Sequence, residues 1–173
     1  MSDLIRTAIR DIPDFPKPGI LFRDITPVLN DPAIFRAAIA DFVQGCREAQ
    51  AQRIAGIDAR GFLFGTTVAH ELGLGFVPIR KKGKLPFQTI SQTYDLEYGS
   101  SEVEVHTDAF QKDERVVLID DLLATGGTAG AAVKLIELAG ARVVLAQFLI
   151  ELADLGGRAQ LPGIAVTSLV CYS

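Results

Sequence analysis

Short apolar runs that fail to alternate with polar residues most constrain this fold. They are RIAGID (53–58), GFVPIR (75–80), RVVLID (115–120), RVVLAQFLI (142–150) and GIAVTSLV (163–170). A strand that is apolar at successive positions buries both of its faces. Helix-length segments lie between several of these runs, over about 33–50, 61–72 and 127–139, and Gly140 marks the end of the last. The pattern predicts an α/β fold, a mostly parallel twisted sheet flanked by helices. In such sheets ligands bind outside the carboxyl ends of the strands, so the residues that follow each run are the ones to inspect.

The chain has 173 residues, 49% hydrophobic and 22% charged, which suits one domain over 1–173 with a sizeable core. The longest apolar run, 143–150, is broken by Gln147 and is far short of the roughly 18 residues of a membrane span. The opening MSDLIRTAIR carries Asp3 and no apolar signal core, so no targeting segment is expected. A net charge of −4 argues against a nucleic-acid-binding surface. Cys46 and Cys171 form no CxxC pair and suit free thiols in a reducing cytoplasm. His70, in TTVAHELG, reads as a helix-surface residue, and His106 lies far from it.

The first ten residues read as an amphipathic helix capped by Ser2, with Leu4, Ile5, Ala8 and Ile9 on one face. DIPDFPKPGILFRDITPVLNDP follows, with five prolines, and predicts an ordered arm without central strand pairing. Asp31-Pro32 supplies an N-cap and first-turn proline for the helix over 33–50. Residues 81–110 are polar and turn-rich, with 102–106 alternating like an edge strand.

The first strand runs into Asp58-Ala59-Arg60-Gly61, and the second into Arg80, Lys81, Lys82, Gly83 and Lys84. The third runs into Asp120-Asp121 and then Ala124, Thr125, Gly126, Gly127 and Thr128; the fourth into Glu151-Leu152. Glycines let backbone N–H groups approach an anion, the next helix offers its N-terminal amides, and Thr125 and Thr128 add hydroxyl donors. The Gly-Lys-Ser/Thr ending of a P-loop is absent, as is GxGxxG. Adjacent carboxylates also occur in phospho-acceptor and Mg²⁺ sites of other folds, and the residues alone leave those readings open. Beside a glycine–threonine loop, however, Asp120 and Asp121 suit the adjacent hydroxyls of a sugar or a hydrated Mg²⁺. Arg60, Arg80, Lys81 and Lys84 offer charge for a second, larger anion. Ribose hydroxyls, a terminal phosphate and a further polyanion together fit phosphoribosyl pyrophosphate.

VVLIDDLLATGGT closely resembles the phosphoribosyl-pyrophosphate motif of the type I phosphoribosyltransferases. With IPDFPKPGILFRDITPVL, GIDARGFLFG, RKKGKLP and YDLEYG, the resemblance covers nearly the whole chain and is to the adenine-using members. It implies transfer of phosphoribose from phosphoribosyl pyrophosphate to adenine, giving AMP and pyrophosphate, with Mg²⁺, in a cytoplasmic homodimer. By position, Asp120 and Asp121 hold the ribose hydroxyls, with Mg²⁺ bound mainly through the substrate. Ala124, Thr125, Gly126, Gly127 and Thr128 bind the 5′-phosphate. Asp58, Ala59 and Arg60 form the pyrophosphate loop, with unusual peptide geometry expected at Ala59-Arg60. Arg80, Lys81 and Lys84 reach the pyrophosphate, in related enzymes that of an adjoining subunit. Residues 1–35 form an arm and hood whose Leu21, Phe22 and Arg23 face adenine, opposite Leu152. Residues 81–98 form a mobile lid, in which Glu97 matches the proposed acid/base and Tyr98 helps to close the site. LPFQTISQTYD follows the lid pattern less closely than its flanks do.

Overall fold

Two-sided burial of the central strands organises the chain. The computed structural model describes residues 2–95 and 99–173; the Ser2 side chain, expected as a cap, lies outside that description. The N-terminal third comprises α1 (Ser2–Ala8), β1 (Arg10–Pro13), β2 (Leu21–Asp24), α2 (Thr26–Asn30), α3 (Pro32–Glu48) and β3 (Arg53–Ile57). Then come α4 (Arg60–Leu72), β4 (Gly75–Lys81), β5 (Thr89–Asp95), β6 (Ser100–His106) and β7 (Arg115–Leu123). Last are α5 (Gly127–Leu138), β8 (Arg142–Leu152), two 3-10 turns (Ala153–Leu155 and Gly157–Gln160) and β9 (Val166–Tyr172).

Seven strands form one sheet in the order β5-β6-β4-β3-β7-β8-β9. β4, β3, β7, β8 and β9 run parallel, as the apolar runs predict, while β6 and β5 are antiparallel additions. Pleating sends successive side chains to opposite faces. In β7, Val116 and Leu118 therefore enter one core and Val117 and Ile119 the other, all fully buried. Ala132, Leu135 and Ile136 of α5 fill the first core. Ile5 of α1, Phe42 of α3 and Phe64 of α4 fill the second, with the Phe42 and Phe64 rings 5.6 Å apart. Cys46 is buried there, its thiol donating to Gln147 Oε1 at 3.2 Å, and burial pushes its pKa up to about 12.

Several boundaries differ from the sequence expectation, each for a tertiary reason. β7 does not stop at residue 120, because pairing with β8 continues through Leu122↔Ile150 and Leu123↔Glu151. Asp120 and Asp121 are thus part of the strand, and so are Glu151 and Leu152 of β8. β6 is no edge strand: β5 pairs along its whole length, and the polar 89–95 segment takes its strand form from that pairing. The proline-rich arm forms an antiparallel ribbon, β1 against β2, with Pro13 opposite Leu21 and a cis Phe15-Pro16 bond in the connecting loop. A two-stranded ribbon has free edges, so a missing N–H costs no central ladder bond. Ile5 of α1 and Ile9 just beyond its end are buried as expected, but Leu4 is exposed. His70 is an exposed residue of α4.

The cap of α3 is as the sequence predicts. Asp31 Oδ1 accepts from the Ala33 and Ile34 amides at 2.9 and 3.1 Å, and Pro32 occupies the first turn. Asp31→Ala is expected to cost about 1 kcal/mol and lower the Tm by roughly 2–4 °C in a thermal melt.

Candidate active site

The carboxyl ends of β3, β4 and β7 open into a cleft of about 520 Å³. Asp58, Ala59 and Arg60 line it from the β3–α4 junction, Lys81 from the end of β4, and Asp120 and Asp121 from β7. Ala124, Thr125, Gly126, Gly127 and Thr128 line its floor toward α5. The residues expected to hold the sugar and the phosphate, with Asp58, Ala59, Arg60 and Lys81 of those expected at the pyrophosphate, therefore meet, although they come from three separate strand ends.

Two like charges on adjacent residues need compensation. Asp121 is buried and pairs with Arg60, Nε to Oδ2 at 2.5 Å. Asp120 Oδ1 accepts from the Asp121 amide at 2.8 Å. Burial, and then the Asp121 charge, push the Asp120 carboxyl well above its ordinary range; the Asp121 amide and the more distant Arg60 offset this only in part. The acidic pair is thus an electrostatically costly arrangement held by one arginine.

The 124–128 loop is built from backbone. Gly126 takes φ +82°, a left-handed conformation that glycine adopts at little cost, and caps α5 without any side-chain bond. The first amides of α5 therefore meet no capping side chain. A Cβ on Gly126 would lie 2.3 Å from the Gly157 carbonyl oxygen, and a Cβ on Gly157 would lie 2.3 Å from that of Ala124. The second 3-10 turn thus braces the loop by direct backbone contact. That turn is tied down in turn by Arg158, which donates to both Glu151 oxygens at 2.6 and 2.7 Å, while Ser168 Oγ donates to Oε2 at 2.7 Å. Sequence reasoning missed this brace, because its members lie on three elements and carry no local motif.

Other expected residues sit elsewhere. Arg80 and Lys84 do not line the cleft: Arg80 donates to Asp58 Oδ2 and to the Lys84 carbonyl, both at 3.0 Å. The non-proline cis peptide is Asp58-Ala59, one bond earlier than the expected Ala59-Arg60. Leu21, Phe22, Arg23 and Leu152 are also outside the cleft lining. Phe22 approaches it, its ring centroid 5.5 Å from the Arg60 guanidinium carbon, and makes a T-shaped contact with Phe15. Arg23 pairs with Asp11, not its neighbour Asp24, and its guanidinium lies 3.8 Å from the Tyr172 ring centroid. Leu152 pairs in register with that same Tyr172. Tyr94, Ser101 and Val103 of β5 and β6 line the cleft, unforeseen because strand pairing, not sequence order, brings them there. Glu97 and Tyr98 lie outside the described residues.

Comparison with known proteins agrees with this geometry. A family model described as a phosphoribosyl transferase domain matches residues 27–156. An adenine phosphoribosyltransferase of Parvibaculum lavamentivorans is 59% identical over 165 residues, 95% of this chain and 94% of that protein. The adenine phosphoribosyltransferase structure from Thermoanaerobacter pseudethanolicus superposes with a TM-score of 0.96 at 48% identity, covering 99% of this chain and 100% of that one. The enzyme from Saccharomyces cerevisiae, crystallised with adenine and an imino-altritol bisphosphate, gives 0.93 at 40% identity, covering 97% of each chain. The chain belongs to the phosphoribosyltransferase family and, within it, to the adenine phosphoribosyltransferases.

Proposed function

We propose that this chain transfers the 5-phosphoribosyl group from phosphoribosyl pyrophosphate to adenine, giving AMP and pyrophosphate. The observation that carries the reading is one cleft lined by the Asp120–Asp121 pair, the 124–128 loop and the Asp58, Ala59 and Arg60 turn. In this reading Asp120 and Asp121 accept from the ribose hydroxyls. Ala124, Thr125, Gly126, Gly127 and Thr128 hold the 5′-phosphate with amides and hydroxyls. Asp58, Ala59, Arg60 and Lys81 surround the pyrophosphate, and Arg80 and Lys84 serve that of an adjoining subunit in a homodimer. Leu21, Phe22 and Arg23 cover one side of adenine and Leu152 the other.

The C1′–oxygen bond to pyrophosphate breaks, the purine nitrogen bonds to C1′, and the imidazole N–H proton leaves. Positive charge develops on the ribose ring, so preorganised electrostatics around it do most of the work. Glu97 accepts the imidazole proton, and Tyr98 with the rest of lid 81–98 keeps water from the donor. Mg²⁺ fits the donor chemistry of the cleft, since two adjacent carboxylates suit an ion held largely by waters and substrate phosphates. Among the described residues no cluster of three or more His, Cys, Asp or Glu would cage an ion alone. When bound, Mg²⁺ neutralises charge on the leaving pyrophosphate. No described helix is long and apolar enough to cross a membrane, and the two free cysteines fit a reducing cytoplasm.

A spectrophotometric screen of purine bases with phosphoribosyl pyrophosphate and Mg²⁺ tests the activity. Adenine is expected to turn over far faster than hypoxanthine or guanine; comparable rates would remove the base assignment, and no pyrophosphate release would remove the enzyme. Glu97→Gln is expected to lower kcat roughly 10²- to 10⁴-fold with little change in donor binding; unchanged turnover takes Glu97 out of the mechanism. Asp120→Asn should raise the KM for the donor yet raise the Tm at neutral pH, because it removes a charge that folding makes costly. The raised native pKa means that wild-type Asp120 costs stability only above the unfolded carboxylate value. The gain in Tm therefore shrinks as pH falls through the raised native value and is gone below about pH 4. A Tm difference independent of pH sinks that account.

A further inference from the structure

Glu104 is a buried carboxylate that the reaction scheme leaves without a task. It sits on β6, 2% exposed, opposite Arg80 in the antiparallel ladder with β4. Two other buried glutamates, Glu114 and Glu151, meet arginines directly. Glu104 instead meets a turn. Its Oε1 accepts from the Lys84 and Leu85 amides at 2.9 and 3.0 Å, and its Oε2 from the Thr89 hydroxyl at 3.2 Å. Burial alone would raise its pKa, but the amides of Leu85, Gly83 and Lys84 and the Thr89 hydroxyl outweigh it and leave the carboxyl below its ordinary range. The group is therefore ionised at neutral pH. It fastens the connection between β4 and β5 beyond the ladder-like bond from the Lys82 amide to the Glu102 carbonyl at 3.0 Å.

The fastened turn reaches the cleft through two further bonds. The Lys84 carbonyl accepts from Arg80 Nη1, and Arg80 Nε donates to Asp58 Oδ2, both at 3.0 Å. Asp58 opens the turn that carries Ala59 and Arg60. A continuous chain of hydrogen bonds thus joins Glu104 to that turn.

We propose that Glu104 is a positioning residue for the pyrophosphate end of the donor: it fixes the 83–85 turn and, through it, Arg80 and Asp58. The proposal rests on the reading of Asp58, Arg60 and Arg80 as pyrophosphate-binding. A buried anion is suited to this, because it orients several amides at once where a neutral group satisfies fewer.

Steady-state kinetics on the full chain test it, with each substrate varied in turn and the Tm recorded. Glu104→Leu removes all the acceptors and is expected to raise the KM for phosphoribosyl pyrophosphate roughly 10- to 100-fold while the KM for adenine stays close to its original value. Glu104→Gln keeps an oxygen for the two amides and is expected to restore most of the donor affinity. A folded Glu104→Leu protein with unchanged donor KM overturns the proposal, and so does an equal rise in both KM values. If Glu104→Leu does not fold, Glu104→Asp, which withdraws the carboxylate from the turn by one methylene, carries the same expectation. Arg80→Met separates the two levels. If it leaves the donor KM unchanged, the reading of Arg80 falls and the proposal with it. If it raises the donor KM while Glu104→Leu and Glu104→Asp do not, only the positioning role falls.

Discussion

Everything at the cleft depends on β7 ending in charge. The strand is buried on both faces through Ile119, and its ladder with β8 carries on past Asp120 and Asp121. The two acidic residues are therefore held by a rigid element at the edge of the cleft. Arg60, at the start of α4, then becomes the counter-charge that makes the arrangement tolerable. The neighbouring strand ends follow the same logic. Parallel strands deliver their termini to one edge, and residues from β3, β4 and β7 meet there though they are remote in sequence.

Around this centre, three supports use different physics. The ribbon of β1 and β2 is held by a ring and a charge, with Arg23 stacked on Tyr172 and Phe22 near Arg60. The β4–β5 connection is held by amides converging on Glu104. The segment after β8 is held by the two-pronged bond of Arg158 to Glu151, a geometry that a planar guanidinium makes well. In the last two the accepting carboxylate is buried, so they are less screened by salt than a surface pair.

The parallel centre of the fold was legible because unbroken apolar runs have few other uses. Asp31 as a cap was legible because capping is local chemistry. Asp120, Asp121 and the 124–128 loop were legible for the same reason: they form one contiguous stretch. What escaped was set across distance. The pairing of β5 with β6 brings Tyr94 and Ser101 to the cleft, and no periodicity in 89–101 announces it. Arg80 was expected among the cations of the cleft, but the sequence does not say that Asp58 and the Lys84 carbonyl claim its guanidinium. The resemblance points to unusual peptide geometry at Ala59-Arg60, whereas the cis bond is Asp58-Ala59, since a peptide's isomer leaves no mark in composition.

The contact between Gly126 and Gly157 has a consequence for the phosphate site proposed at the 124–128 loop. Where backbone rests on backbone, there are no rotamers to freeze, so an anion bound there would cost less ordering entropy. Within the 153–160 turn, position 157 must stay without a side chain and Arg158 must keep its hold on Glu151. The loop thus behaves as a mould cast against a neighbouring main chain, whose own position is set from behind by a single buried carboxylate, Glu151.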